Sequence, residues 1–368
     1  MANIIYSLAQ EGRGHASRSY EMIRRLAADG HRLIVLTGGD SYEPMKEAMV
    51  KTENASLLRL PGLKFFYDKK GKVDYIKTAS GNLSTIMFGD IVVKKVANLI
   101  RRNNIDLVIS DFEPFAPRAA KKTKTALITI DNQHRIMFEK PAKGAINEKN
   151  AFSYAVARRM VSSSHPLGKH CIIASVFKPH LRKKRLGKTT IHAVGPIIRR
   201  EVIELKKHVT KEDFVLVYVK HALEKAIIPK LKGIKEKFIM YVKRPNNHKP
   251  MTNVVYRKHS ATNFAHDLAR CKAVISSAGE QLTSEALFLK KPIFLISENG
   301  TYEQEINADC VKRKMVGDSG TIVEVQKEDI THFLRNLESY QKNINRMQIT
   351  CSTDKIIGII NSELRKRQ

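Results

Sequence analysis

Four stretches of the chain carry side chains whose types and spacing suit chemistry on a polar substrate. The first is Gly12-x-Gly14-His15-x-x-Arg18. Two glycines let the backbone turn tightly and approach a ligand. A histidine at that turn can take a proton from a hydroxyl nucleophile near neutral pH. The third glycine of a dinucleotide fingerprint is absent, so the stretch is not a GxGxxG motif. The second is Asp111-Phe112-Glu113-Pro114. A carboxylate there can orient a histidine and stabilise its imidazolium; read alone, Asp111 serves equally well as a helix cap. The third, Asp131-Asn132-Gln133-His134, suits hydrogen bonding to a polyhydroxyl ligand, or forms an ordinary polar loop. The fourth runs from Ser276 through Ser277, Ala278, Gly279, Glu280 and Gln281 to Glu285 and Leu287. Small residues at a helix mouth expose backbone N–H groups to an anion, and Glu285, one turn further in, can accept hydrogen bonds from a ribose diol. A polar loop over Glu298–Asn307 follows, with Glu303, Gln304 and Asn307 as sugar-binding candidates.

These stretches need elements to hold them. Asn3–Ala9 is an apolar run, and helical spacing follows through Met22, Ile23 and Leu26 to Gly30. Leu33–Thr37 is the next run, Ile86–Ile100 reads as a helix, and strands are expected at Ile105–Ser110, Lys124–Asp131, Cys171–Ser175 and Thr190–Gly195. The pattern restarts after Gly195-Pro196 with Asp213–Val219, then alternates through Glu224–Leu231, Lys237–Val242, Phe264–Arg270, Ala273–Ser276, Gln281–Leu289 and Pro292–Ile296. Strands alternating with helices imply an α/β chain built on parallel sheets. Ligands of such sheets bind beyond the C-terminal strand ends, where the four stretches and Lys220-His221 fall. Ile356, Ile357, Ile360 and Leu364 share one face of a closing helix.

The order Ser-Ala-Gly, Glu-Ala-Leu, Lys-Pro-Ile, Glu-Gln, Asn-Ala over residues 277–308 resembles the donor-binding signature of GT-B glycosyltransferases. The Gly-x-Gly-His-x-x-Arg start resembles the acceptor side of the same superfamily. The similarity is to UDP-glycosyltransferases and the peptidoglycan N-acetylglucosaminyltransferase, with Asp-Phe-Glu-Pro and Asp-Asn-Gln-His resembling a microbial branch. The resemblance implies two Rossmann-like domains, each with a parallel sheet, facing across a cleft. Residues 1–196 would bind the acceptor, 197–350 the nucleotide-sugar donor, and 351–368 would return to the first domain as a helix. It implies an inverting transfer, from a UDP-sugar by expectation, to an acceptor hydroxyl. His15 looks like the general base and Asp111 its partner, while Gly12, Gly14, Arg18, Glu113, Asn132 and His134 fall on the acceptor side. Ser277, Ala278, Gly279, Glu280 and Gln281 would hold the diphosphate, Glu285 the ribose, and Glu303, Gln304 and Asn307 the sugar. No cofactor or metal is expected, because such enzymes stabilise the leaving diphosphate with backbone amides and a helix dipole. The chain departs from the family after Val219, where Lys220-His221-Ala222 replaces a Gly/Ser phosphate loop.

Bulk composition narrows the alternatives. The 368 residues carry a formal net charge of +29, which points to an anionic partner. Residues 151–200 hold 11 basic and no acidic residues. No apolar run approaches the ~20 residues of a membrane-spanning helix. Four scattered cysteines form no CxxC pair, which argues against a structural zinc site or a disulfide framework. A cytoplasmic protein is expected, peripheral on the inner face of a membrane, with an anionic or lipid-linked acceptor. Aromatics beside lysines over Leu60–Val73 form a candidate contact with anionic lipid. Two other readings stay open: a nucleotide-sugar 2-epimerase of the same fold, with Asp111 and Glu113 as its acid and base, and a basic nucleic-acid-binding or DNA-glycosylating protein. The latter has no recognition motif to support it.

Overall fold

The computed structural model describes residues 1–61, 77, 81, 89–140, 148–298 and 301–366. The chain divides into two compact units. One takes in residues up to Ile197 together with the C-terminal segment from Cys351, and the other contains Ile198–Thr350.

In the first unit, β1 (Asn3–Leu8), α1 (Arg13–Ala28), β2 (Arg32–Thr37), α2 (Gly39–Met49) and β3 (Ala55–Arg59) alternate. Then come α3 (Gly89–Arg102), β4 (Leu107–Asp111), α4 (Phe115–Thr123), β5 (Ala126–Asp131), the one-turn α5 (Arg135–Phe138), α6 (Glu148–Ser164), β6 (His170–Ala174), β7 (Arg185–Leu186) and β8 (Thr189–Val194). The sheet order is β3-β2-β1-β4-β5-β6-β8-β7, parallel throughout except for the β7–β8 hairpin. Strands covered on both faces read as continuous apolar runs, and β4 and β5 are buried along their whole length.

The second unit holds α7 (Arg200–Leu205), β9 (Val215–Tyr218), α8 (His221–Leu231), β10 (Phe238–Val242), β11 (Val254–Lys258), α9 (Ala261–Arg270), β12 (Ala273–Ser277), α10 (Glu280–Phe288), β13 (Ile293–Ser297), α11 (Tyr302–Arg313), β14 (Gly317–Thr321), α12 (Lys327–Arg335) and α13 (Leu337–Arg346). Its six strands are all parallel, in the order β11-β10-β9-β12-β13-β14. The last helix, α14 (Thr353–Arg365), belongs to the first unit. Its Ile356, Ile357, Ile360 and Leu364 are buried in the same core as β1 and α1. Ser352 N–H donates to the Pro196 carbonyl at 2.8 Å, and Lys169 pairs with buried Glu363 at 2.8 Å.

Strand order reverses direction between β1 and β4 in one sheet, and between β9 and β12 in the other. Loops leaving such paired strands diverge to opposite faces and open a crevice at their C-terminal ends, which is where ligands of open α/β sheets bind. Three sequence expectations need correction or limits. Glu298–Asn307 is not a loop throughout: α11 begins at Tyr302. Its inward face carries Gln304 and Asn307 among Ala308 and Val311, so polar residues hid the helical period. The helix read over Ile86–Ile100 is described over Gly89–Arg102, and positions 86–88 lie outside the described residues. Positions 62–73 of the aromatic and lysine segment, and 299–300, lie outside the described residues. No described helix is long and apolar enough to cross a membrane.

Candidate active site

The first cluster forms where β1 and β4 part. Leu8 pairs with Asp111 in the sheet, and Ala9 N–H donates to the Asp111 carbonyl at 2.9 Å. The chain after β1 turns through Gly12, whose φ of 80° suits glycine, and enters α1. Gly14 and His15 therefore stand in the first turn of α1, over the end of β4. His15 Nδ1 lies 2.8 Å from Asp111 Oδ1. Arg18, one turn on, forks onto the same carboxylate, Nη2 to Oδ1 at 2.5 Å and Nε to Oδ2 at 2.7 Å. Ser19 Oγ donates to Oδ2 at 2.9 Å. Asp111 is fully buried. Burial by itself would raise its carboxyl, but the Arg18 guanidinium and the His15 ring hold it well below the usual carboxylate range. Arg18 Nη2 also lies 2.9 Å from His15 Nδ1, but it has Asp111 Oδ1 to donate to, so the acceptor-only carboxylate favours the neutral ring with its proton on Nδ1. That leaves Nε2 with its lone pair, 3.1 Å from Gln133 Nε2. Only 14% of the His15 side chain is exposed. The arrangement is an imidazole whose ring is oriented by a buried anion, the geometry of a His–Asp pair.

Several expected acceptor-side residues are taken out of reach by burial. Arg18 is spent on Asp111. Glu113 is buried and caps α4, accepting from Phe115 N–H and Ala116 N–H at 2.8 Å each. Burial pushes its carboxyl up to about 7, against those two amide bonds. Phe112, at φ 53°, makes the left-handed turn that places the cap. Asn132 and His134 are buried, and His134 Nδ1 sits 2.5 Å from Asp131 Oδ2. From the Asp131–His134 stretch it is Gln133, half-buried, that reaches His15. Ser19 is not marked by the sequence, and Gln133 is named there only as part of the Asp131–His134 stretch, because neither type marks a site without the fold to bring it there.

The second cluster forms where β9 and β12 part. Tyr218 pairs with Ser276, and Lys220 N–H donates to Ser277 Oγ at 2.9 Å. Ala278 and Gly279 lead into α10, and a Cβ built on Gly279 meets nothing within 4 Å. Glu280 and Gln281 occupy the first turn, the first accepting from Ser284 Oγ at 2.7 Å. Lys220 Nζ pairs with Glu298 Oε2 at 2.6 Å, and Gln304 Nε2 donates to that same oxygen at 2.8 Å. Asn307 Nδ2 donates to the Ala278 carbonyl at 3.0 Å. His221 leans on Glu224 at 2.9 Å. Gln304 and Asn307 are therefore buried braces beside the N-terminus of α10, while Glu303 is half-buried at the start of α11.

Glu285 departs most from its expected role. It is 1% exposed, and Arg199 Nε and Nη2 each donate to one of its oxygens at 2.7 Å. Gln281 Nε2 adds a third bond at 2.8 Å. A bidentate fork satisfies a buried carboxylate, so no diol contact is needed to explain its burial. Nothing in the sequence near Arg199 signals this partner. Among the described residues, no three His, Cys, Asp or Glu side chains converge as a metal-binding set.

The fold has known counterparts. CalG4, the calicheamicin glycosyltransferase, superposes with a TM-score of 0.66 at 15% identity, covering 99% of this chain and 98% of its own. The UGT2 of Phytolacca americana, solved with UDP-2fluoro-glucose and pterostilbene, gives 0.64 at 13% identity, covering 98% and 99%. The glycosyltransferase SnogD of Streptomyces nogalater gives 0.55 at 14%, covering 97% and 99%. No curated protein sequence is significantly similar. The sequence profile of glycosyl transferase family 1 matches residues 2–338. Two parallel Rossmann-like sheets and a profile match over most of the length lead to one conclusion: the chain belongs to glycosyl transferase family 1 and is a glycosyltransferase of the GT-B fold.

Proposed function

We propose that the enzyme transfers a sugar from a nucleotide-sugar donor, UDP-linked, to an acceptor hydroxyl with inversion, and that His15 is its general base. The observation that carries the reading is the His15–Asp111 pair at 2.8 Å, with Nε2 left as the proton acceptor. The acceptor O–H gives its proton to Nε2 as its oxygen attacks the anomeric carbon. The bond to the donor diphosphate breaks on the opposite face, so a single displacement inverts the centre. Asp111 stays ionised and stabilises the imidazolium. The leaving diphosphate meets the N-terminus of α10 at Gly279–Gln281, where amides and the helix dipole favour negative charge, with Lys220 nearby. No step is assigned to a metal. Glu285 would take the ribose diol only by sharing or displacing the Arg199 fork. UDP is favoured because the Phytolacca americana structure holds a UDP-sugar analogue.

The acceptor is proposed to be anionic, or carried on an anionic membrane surface. What supports this is the β7–β8 hairpin and its approach. Arg182, Lys183, Lys184, Arg185 and Lys188 are exposed, and none forms an ion pair among the described residues. Leu186, between them, is 43% exposed. Basic residues beside an exposed apolar side chain suit anionic lipid. The epimerase reading loses ground, because Glu113 is a helix cap and every Asp111 oxygen is already engaged.

Thermal melting with UDP, TDP and GDP tests the donor. Ligand at a hundred times Kd stabilises by about 2.7 kcal/mol; no rise in Tm with any of the three overturns the reading. Vesicle sedimentation with and without anionic lipid tests the surface, and equal binding to both removes the charge argument.

A further inference from the structure

Three contacts of the Gln133 amide together fix a proton. Its Oε1 accepts from Arg18 Nη2 at 3.3 Å and from Asn132 N–H at 3.2 Å. Both partners can only donate. The orientation of the amide is therefore set by its surroundings, and its Nε2 must be the end that faces His15. That contact is 3.1 Å long and ends on His15 Nε2. An amide nitrogen only donates, so His15 Nε2 must accept.

Three states of the ring can be compared with these contacts. A ring protonated on Nε2 alone sets donor against donor at Gln133, and lone pair against oxygen at Asp111. An imidazolium satisfies Asp111 but still opposes Gln133. The neutral ring with its proton on Nδ1 satisfies both, donating to Asp111 Oδ1 at 2.8 Å; Arg18 Nη2, 2.9 Å from Nδ1, then turns its two hydrogens to Asp111 Oδ1 and Gln133 Oε1 instead of the ring. Arg18 joins the two ends of this chain, since its Nη2 reaches both Asp111 Oδ1 and Gln133 Oε1. One guanidinium thus orients the anion behind the base and the amide in front of it.

We propose that Gln133 is a positioning residue that covers the catalytic base: its amide N–H occupies the His15 Nε2 lone pair, reinforces the tautomer that Asp111 sets, and gives way to the acceptor hydroxyl. This rests on the reading of His15 as the base. The cover keeps water from the lone pair while no acceptor is present. An arriving hydroxyl replaces one donor by another, so the lone pair is never left bare in a half-buried site.

The test uses ligand-free protein labelled with 15N-histidine, the His15 signals being assigned with His15→Gln. The wild-type ring should show a bare Nε2 and a protonated Nδ1 at neutral pH. Gln133→Glu puts an acceptor in front of Nε2; it should lose the bare-nitrogen signal, and its kcat/KM should fall at least tenfold with the acid limb displaced upward by a pH unit or more. Gln133→Met, similar in size but without a donor, should keep the bare nitrogen and lower the acceptor KM. A wild-type spectrum with the proton on Nε2 overturns the proposal, even if neither variant folds. So does a Gln133→Glu ring that titrates like wild type. Turnover retained by His15→Ala would instead sink the base assignment, a result the spectra do not depend on.

Discussion

Two Asp–His pairs stand at neighbouring strand ends in the same sheet, and they meet opposite fates. Asp111 ends β4 and Asp131 ends β5, strands in direct register through Ser110 and Thr129. His134 follows Asp131 by three residues. The carboxylate takes both its N–H, at 2.8 Å, and its ring Nδ1, at 2.5 Å. The other ring nitrogen meets the His165 carbonyl at 3.5 Å, and the side chain is 1% exposed. Burial works against charge on that ring, but Asp131 outweighs it and raises its proton affinity. Beside it the His165 ring stacks on Phe112 at 3.9 Å, and burial pushes His165 down to about 3. His15 reaches Asp111 across 96 positions of sequence. Arriving from another loop, it brings no local turn to close and keeps one nitrogen for chemistry. A pair made locally folds the loop, whereas a pair made across the sheet can serve a substrate.

The comparison breaks most sharply at the rings. His15→Ala should lower turnover by roughly 10²–10⁴, the usual worth of a general base, with nucleotide binding and Tm kept. His134→Ala should do the reverse, costing about 1–3 kcal/mol for the buried carboxylate left short of a partner; turnover per folded molecule, measured beside denaturant melts, separates the two.

The carboxylates come next. Asp111→Ala leaves the Arg18 guanidinium buried without its anion and should cost about 3–5 kcal/mol. Asp131→Ala leaves the His134 N–H and an imidazole that can shed its proton, neither a fixed charge, so the cost should be smaller, about 1–3 kcal/mol. Equal midpoints for the two variants in urea would erase the distinction.

Acid sensitivity follows from the same groups. Asp111 titrates lower when folded, so its contribution is full above the unfolded carboxylate range and is lost as pH falls below it. His165 loses its contribution as pH falls from its unfolded value of about 6.5 toward its folded value. Glu113 works in the opposite sense. Its folded value is raised to about 7, so ionisation costs stability as pH rises from the unfolded carboxylate value. The advantage of Glu113→Gln over wild type should therefore grow, by roughly 1–3 kcal/mol, between about pH 4.5 and 7. Melting curves across that range check it, and a constant difference would contradict it.

The smallest effect is expected at the turn that delivers His15. Gly12→Ala meets no neighbour within 4 Å but must hold φ 80°. A cost of about 1–2 kcal/mol is expected from the left-handed backbone alone, with a matching change in kcat and not in nucleotide affinity.

Much of this was legible in the residues. The apolar runs located β1, β4, β5, β9, β12 and β13, because buried parallel strands must be apolar on both faces. Polar residues directly after those runs marked the strand ends where ligands bind. Edge strand β14 escaped, since Gly-Asp-Ser-Gly-Thr has no apolar pattern; Gly317 is there because a Cβ would stand 1.8 Å from the Ile293 carbonyl oxygen. Helix α11 escaped because buried Gln304 and Asn307 brace a loop from positions that usually carry apolar side chains.

The sequence by itself determined the alternation of strands and helices and the two restarting halves, and it marked His15 and Asp111 as candidates, because all of these are written in local pattern. Partners were decided only in three dimensions. Arg199 claims Glu285, Asp131 claims His134, and Gln133 claims the lone pair of His15. Each of these choices depends on which strands lie side by side and which side chains burial forces to find a hydrogen bond. A one-dimensional pattern holds neither distance nor exposure, so the difference between an imidazole sealed at both nitrogens and one that reaches across the sheet appears only when the sheet is formed.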